Sequence, residues 1–426
     1  MIKKIIFKVL RNLLTFLIKV KAEKLIAFLI IQSIKKNNPG VAGKENNILI
    51  FEKPRFINDV IEIDKYSNFY PIILKMRISV ILGKIFLPEE VRGQHKYHKI
   101  TTEKNISMKK KYRSFISKIL PLIVNELSIK AILVGNVDYW EHQEWSWAAK
   151  NIGIPTVVLY RESVGWSERN IKLHKHYSSL DYDLPISKLA VFGPETQKWM
   201  SETGLVEKKD IIVTGAPRTD KFYEFSSKLK NEKTKKLVVL FDFISQKYSS
   251  SKTPIEVLEM FTNIANNSNE YEFLIKTKED IYKKELMNKI FELELPTNNL
   301  TVESDIDFRE ILQKSKLIIG YMRSTVMLES MIAKCPIILP VWGDLTDEDL
   351  EISKSESESA GVYKVIQKEN FIPTVNKILA TDQLDEFDDY IHIRDQYIYK
   401  NLYKIDGKSS IRLSNAIEEA IKDAKN

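Results

Sequence analysis

The sequence predicts two consecutive α/β domains, each built on a parallel sheet. Three observations predict this. The stretch Lys316–Pro340, KLIIGYMRSTVMLESMIAKCPIILP, runs from apolar residues into Gly320 and a polar turn at Tyr321–Thr325. A helix-like segment to Lys334, Pro336 and a second apolar run at Ile337–Leu339 follow. Strand, turn, helix and strand in that order form the crossover unit of a parallel sheet. A second such unit lies at Ala131–Tyr160: AILVG, a helix-like segment to Asn151, the turn Gly153–Pro155, then TVVLY. Finally, 426 residues with 44% hydrophobic and 29% charged content suit a globular chain with two cores.

The charge is unevenly distributed. The chain carries a net +8, and residues 1–36 alone hold eight Lys and one Arg against one Glu, leaving the rest neutral. A nucleic-acid-binding domain carries its excess on its folded surface, so this distribution argues against nucleic acid. The single cysteine, Cys335, excludes a disulfide framework and a cysteine-built zinc site. It reads as a small packing residue in a chain suited to a reducing cytoplasm.

Within residues 1–36, Lys4, Lys8, Arg11, Thr15 and Lys19 fall on one helical stripe, with Ile6, Phe7, Leu10, Leu13, Leu14 and Leu17 over the remainder. The charge-free runs Asn12–Ile18 and Leu25–Ile34 are shorter than the ~20 residues a bilayer span needs. A basic amphipathic helix on an anionic membrane surface is the expectation, on the inner face of the cytoplasmic membrane. The alternative is a helix docked on the protein's own core with snorkelling Lys stems.

Asn37–Asn46 reads as a linker and Asn47–Phe51 as the first buried strand. Residues 52–110 give no clear period. Tyr112–Leu127 has helical periodicity, as does Tyr139–Asn151. Leu189–Phe192 and Ile211–Thr214 read as strands around a helix at Glu195–Thr203. The charged segment Lys228–Lys236 separates the domains, and Leu237–Phe243 opens the second set. Helices are predicted at Pro254–Asn266, Asp280–Phe291 and Phe308–Lys314, and strands at Glu272–Lys276 and Leu300–Val302. Asp344–Glu358 reads as an acidic loop, and Gln383–Asn426 as two terminal helices interrupted at Asp406-Gly407. The expected domains are thus 44–226 and 237–385, with residues 386–426 as terminal helices returning to the first domain.

No G-x-G-x-x-G, Walker A or G-x-S-x-G sequence is present, so dinucleotide, P-loop and acyl-hydrolase signatures are absent. Asp181-Tyr182-Asp183 imitates a D-x-D but precedes a strand. His174 and His176 form an H-x-H pair read as part of a solvated loop, so no metal site is expected. The turn after the Lys316–Ile319 run is the better candidate. Ser324 and Thr325 stand where a helix begins, where free N–H groups and the dipole suit a phosphate. Glu329 lies five residues further on, within reach of a sugar hydroxyl. The alternative is a simple helix cap beside a surface acid.

Three stretches together resemble a known group. Thr214–Asp220, TGAPRTD, resembles the T-G-x-P-R-x-D junction segment of bacterial cell-surface polymer transferases. Gly320–Glu329, GYMRSTVMLE, resembles their donor-phosphate turn. Tyr403–Ile417, YKIDGKSSIRLSNAI, resembles their terminal helix. The resemblance, over roughly residues 130–420, is to the surface-carbohydrate transferases related to the CDP-glycerol glycerophosphotransferase and Kdo-transferase groups. It implies a GT-B fold, two Rossmann-like domains facing across a cleft, and an inverting transfer with neither metal nor cofactor. The donor is a nucleotide-activated sugar and the acceptor a lipid-linked or growing capsule or lipopolysaccharide chain. By position, Ser324 and Thr325 hold the donor phosphates and Glu329 its ribose, with Gly320, Arg323 and Lys276 also donor-binding. Arg218, at the cleft with the catalytic groups, balances phosphate charge or pins the domain junction.

Two departures refine this. Lys276-Thr277-Lys278-Glu279 stands where relatives often show K-x-H-P, so Lys276 and Lys278 are expected to supply positive charge in place of a histidine. Tyr160-Arg161-Glu162-Ser163 stands where the glycerophosphate transferases show H-G, which favours sugar transfer over polyol-phosphate transfer. Glu162, just past the Thr156–Tyr160 strand, is then the expected general base unless Arg161 ties it up, with Glu168, Asp138 and His142 in reserve. The alternatives are a polyol-phosphate transferase, a non-hydrolysing nucleotide-sugar 2-epimerase, and an inactive scaffold of a polysaccharide assembly complex. The epimerase would need no membrane helix and would use more than one acid.

Overall fold

A computed structural model describes residues 2–36, 46–51, 56–93, 96–99, 102–161, 168–179, 184–223, 236–242, 252–321, 325–343, 362–380 and 385–425. The chain divides into two compact units. Unit 1 gathers Met1–Ser163, Glu168–Asp220 and Asp406–Asn426, and unit 2 is Lys221–Ile405 with Val164–Ser167. Of the sequence expectations, the linker at 37–46, Asp181–Asp183, most of 228–236 and the acidic stretch 344–358 lie largely or wholly outside the described residues.

Unit 1 begins with the helices α1 (Ile2–Lys19) and α2 (Glu23–Ser33), then β1 (Lys35–Lys36) and β2 (Asn46–Phe51). The stretch that shows no period in the sequence resolves into α3 (Phe56–Tyr66), β3 (Phe69–Leu74), α4 (Met76–Phe86) and the short α5 (Lys96–Lys99). Then come α6 (Glu103–Leu127), β4 (Ile129–Val134), α7 (Gln143–Asn151), β5 (Thr156–Tyr160), α8 (Glu168–Ser179), β6 (Lys188–Val191), α9 (Pro194–Thr203) and β7 (Ile211–Val213). The strands order as β1-β3-β2-β4-β5-β6-β7, with β1 antiparallel on the edge and the other six parallel. Strands β4 and β5 are buried almost end to end, as expected of a sheet covered on both faces.

The amino-terminal segment is two helices. Lys21 takes a left-handed conformation, φ 54°, and the Ala22 and Lys21 N–H groups donate to Leu17 O and Ile18 O. That double bond closes α1 and turns the chain into α2. Leu14, Leu17, Ile26, Ala27 and Ile30 are buried, with α1 packed on α4 and α2 on α6. The docked arrangement therefore describes the inner faces of both helices, whereas the outer faces are exposed. Among the described residues no helix is long and apolar enough to cross a membrane.

Unit 2 contains β8 (Leu237–Phe241), α10 (Lys252–Asn266), β9 (Glu272–Lys276), α11 (Asp280–Glu292), β10 (Leu300–Glu303), α12 (Phe308–Lys314), β11 (Ser315–Ile319), α13 (Thr325–Ile332), β12 (Ile337–Pro340), β13 (Tyr363–Val365), α14 (Phe371–Ala380) and α15 (Asp385–Leu402). Its parallel order, β10-β9-β8-β11-β12-β13, is the third-second-first-fourth-fifth-sixth order of doubly wound nucleotide-binding sheets. The last helix, α16 (Ser409–Asp423), belongs to unit 1. The two terminal helices therefore part company, contrary to the expectation that both return. Arg394 of α15, only 1% exposed, donates to the carbonyl of Cys335 and seats α15 in unit 2.

Candidate functional site

Ligands of open parallel sheets bind beyond the carboxyl ends of the strands, where the winding reverses. In unit 1 that place lies between β2 and β4. The loop leaving β4, Gly135–His142, stays irregular where the sequence suggested helix from Tyr139, and α7 starts only at Gln143. The loop is held by its own polar groups: Asn136 Oδ1 accepts the Asp138 N–H at 3.0 Å, and the Gln143 amide donates to Val137 O. The result sets a carboxylate between two imidazoles. Asp138 Oδ1 lies 3.9 Å from His98 Nε2 of α5, and Oδ2 lies 3.5 Å from His174 Nε2 of α8.

All three residues are 4% exposed or less, and Asn136, Glu141 and His142 of the same loop are buried too. The His142 ring lies 6.1 Å from Phe51 at the end of β2. At 3.5 and 3.9 Å these groups stand just beyond direct hydrogen bonds, a separation one water can bridge, and a carboxylate with imidazoles is a donor set capable of acid–base chemistry. His174 is thus not in a solvated loop: α8 carries it inward, while His176 stays exposed. Glu162 lies outside the described residues. His98, in the stretch without a period, gave no sequence signal. His174 did, in its H-x-H spacing, but without a partner in view.

Arg218 and Arg161 meet a single acid. Asp59 of α3, fully buried, accepts the Arg218 backbone N–H at 3.2 Å and Nε at 3.0 Å, with Nη2 closing a bidentate pair. Arg161 Nε stands 3.4 Å from the same carboxylate. Arg218 thus ties the Pro217–Thr219 turn to α3 within unit 1, a pinning role. The motif ends in a second anchor: Asp220 accepts the N–H groups of Ser409 and Ser410 at 2.8 and 2.7 Å, capping α16. Arg412 donates from Nε to Thr214 O at 2.8 Å and from Nη1 to Asp406. Two of the three stretches that carried the resemblance are therefore one latch. Gly215 is required there, since at φ 81° a side chain would also strike Ser409.

In unit 2 the winding reverses between β8 and β11, which are followed by Asp242 and Gly320. Asp242 is 6% exposed and its N–H donates to Lys276 O. Lys276 donates from Nζ to Thr277 O at 2.8 Å and Ser304 O at 2.6 Å, bracing the β9 and β10 ends. A Cβ on Gly320 would overlap Met327 Sδ, so glycine lets α13 fold tightly against β11. Glu329 sits half-buried one turn into α13. Arg323, Ser324 and the Thr325 side chain lie outside the described residues. A separate cavity of about 560 Å³, lined by Asn263, Tyr271 and Asn376, opens at the amino end of β9, away from the ligand edge.

No protein-family model matches this chain, and no curated protein matches it. Solved structures do. The structure of S. aureus MnaA with UDP is similar at 14% identity and a TM-score of 0.55, covering 89% of this chain and 97% of that one. The fold is GT-B-like. UDP-GlcNAc 2-epimerase from Neisseria meningitidis bound to UDP-GlcNAc gives 13% identity and TM-score 0.51 over 88% and 100% of the two chains. An α,α-trehalose-phosphate synthase (UDP-forming) from Burkholderia vietnamiensis gives 10% and 0.51 over the same shares.

Proposed function

We propose that this chain is an enzyme acting on a nucleotide-activated sugar, with unit 2 holding the nucleotide diphosphate and unit 1 supplying acid–base chemistry through Asp138. The observation that carries this reading is the buried His98–Asp138–His174 cluster at the switch point of unit 1. The doubly wound order of unit 2, with Gly320 at its own switch point, supports the nucleotide half. In that half, Ser324 and Thr325 at the start of α13 bind the phosphates with Arg323, and Glu329 binds the ribose. Glu162 is a second acid–base candidate.

Of the two reactions such a fold hosts, 2-epimerisation of a UDP-N-acetylhexosamine is the better supported. Inverting carbon 2 takes removal of its proton from one face as the bonding electrons expel UDP from carbon 1 and leave a carbon 1–carbon 2 double bond. A proton is then delivered to the other face as UDP adds back at carbon 1, hence more than one acid–base group. Asp138 and Glu141 are buried in the same loop, with His98, His142 and His174 alongside. The UDP-GlcNAc 2-epimerases among the similar solved structures point the same way. The second reading is glycosyl transfer, in which one carboxylate takes the proton of an acceptor hydroxyl as it attacks the anomeric carbon and the nucleotide leaves. The exposed outer face of α1 and α2 favours it, because lipid-linked or polysaccharide acceptors of capsule or lipopolysaccharide type are built at the cytoplasmic membrane.

One experiment separates them. The purified protein is incubated with UDP-GlcNAc in D2O without an acceptor, and the sugar is followed by proton NMR. Loss of the carbon-2 proton signal, abolished in Asp138→Asn, is the outcome expected for epimerisation. Full retention of that signal, with UDP released only when an acceptor is added, would instead establish transfer. UDP that neither stabilises the protein nor is formed would refute both.

A further inference from the structure

We infer that the outer face of the α1–α2 hairpin is a docking surface for an anionic lipid bilayer. The inner faces are accounted for, since Leu14, Leu17, Ile26, Ala27 and Ile30 pack into unit 1. A second apolar set remains outside. Val9, Leu13, Phe16 and Val20 follow one another at spacings of 4, 3 and 4 and are 63%, 43%, 60% and 53% exposed, and α2 adds Leu25 at 47% and Phe28 at 54%. At about 100° per residue the α1 set forms a stripe roughly a quarter turn from its buried stripe. Docking on the protein's own core therefore leaves this stripe uncovered.

The charge around the stripe selects the occupant. Lys8, Arg11, Lys19, Lys21 and Lys24 are exposed on the same hairpin. Its one acid, Glu23, lies 3.5 Å from Lys118 of α6. Apolar side chains flanked by uncompensated cations match the two halves of an anionic membrane surface, acyl boundary and headgroup phosphate. The hairpin is too short to span. It lies in the interface. A second copy of the chain is a poorer occupant, because its hairpin would bring the same cations against these. The inference deepens the membrane location proposed above, and it holds whichever of the two reactions the enzyme runs.

The test is sedimentation of the full-length protein with vesicles of phosphatidylcholine alone or containing about one third phosphatidylglycerol. Binding is expected only to the anionic vesicles, weakened by added salt. It should fall about tenfold or more in Phe16→Ser/Phe28→Ser, whose exposed positions leave the fold intact. Charge reversal at Lys8→Glu/Arg11→Glu should weaken it further, and UDP stabilisation in a thermal melt serves as the control for folding and for the nucleotide site. Failure of the folded wild-type protein to sediment would overturn the inference, as would equal sedimentation of all variants. So would a dimer in solution that Phe16→Ser/Phe28→Ser converts to monomer without any vesicle binding. Loss of UDP stabilisation with vesicle binding retained would strike the nucleotide reading alone.

Discussion

Replacing Asp59 with alanine tests whether Arg218 is a structural residue of unit 1. The carboxylate is 0% exposed, accepts three N–H groups of Arg218, and stands within ion-pair distance of Arg161. Arg218 itself is only 7% exposed, so solvent replaces little of what is lost. Removing one member of a buried, bonded ion pair costs about 3–5 kcal/mol, because the remaining charge stays desolvated. For a unit of this size each kilocalorie lowers the melting point by roughly 2–4 °C, so a loss of about 6–20 °C is expected. Urea melts of Asp59→Ala, Arg218→Met and the double variant complete the cycle. The double variant should lose about 1–3 kcal/mol less than the sum of the single ones. An Asp59→Ala protein destabilised by under about 1 kcal/mol, or strict additivity, would refute the pinning role.

Other variants probe the remaining parts. Asp138→Asn should lower turnover of the UDP-sugar by about 100- to 10,000-fold while leaving UDP stabilisation in place, read by NMR and thermal melt. Gly320→Ala should cost about 1 kcal/mol in a urea melt, because the Met327 thioether it meets must swing aside, and weaken UDP binding in a titration; Met327→Ala should cost less in that background than alone. Burial works against the Lys188 ammonium, but bonds to Glu419 and Asp210, with Asp423 close by, more than offset this and raise its pKa. A raised folded-state pKa gives stability that is complete below the ordinary lysine value and lost as pH climbs through the raised one. Lys188→Met should therefore cost about 0.5–1 kcal/mol at neutral pH, since Glu419 and Asp423 are solvent-screened. In melts across pH the difference should persist to about 10.4 and shrink only above it.

The legible part of this chain was its repeating part. Runs such as AILVG and TVVLY are buried on both faces and needed only their apolar continuity to declare themselves, and the β11–α13–β12 unit emerged within a residue or two of its observed ends. The winding order of unit 2 followed no local signal, yet it put Gly320 at the switch point, where the strand–turn–helix pattern had suggested a phosphate site. What stayed hidden depends on partners distant in sequence. Asp59 is an acid on a helix with no clear period, and only folding brings it to Arg218, 159 residues away. His174 looked like half of an H-x-H because sequence cannot reveal that α8 turns one imidazole inward and the other out. The TGAPRTD and DGKSSIR stretches stood out in the sequence only as two of the three that carried the resemblance. Their shared task, capping α16 and gripping Thr214, is visible only in three dimensions.

That latch has a consequence for how the protein is made. Asp220 and Ser409 are 189 residues apart, and the Lys221–Ile405 part of unit 2 is synthesised between them. At about 5–20 residues per second a ribosome needs roughly 10–40 s to cover that distance. Throughout this interval the surface that α16 covers, along α3 and the strands β4, β5 and β6, is without its lid. Unit 2 is free to fold first although it begins second. Unit 1 is completed by a helix that emerges only after Lys221–Ile405, so a nascent chain stalled before Ser409 presents a bare, sticky face to any chaperone waiting at the exit tunnel.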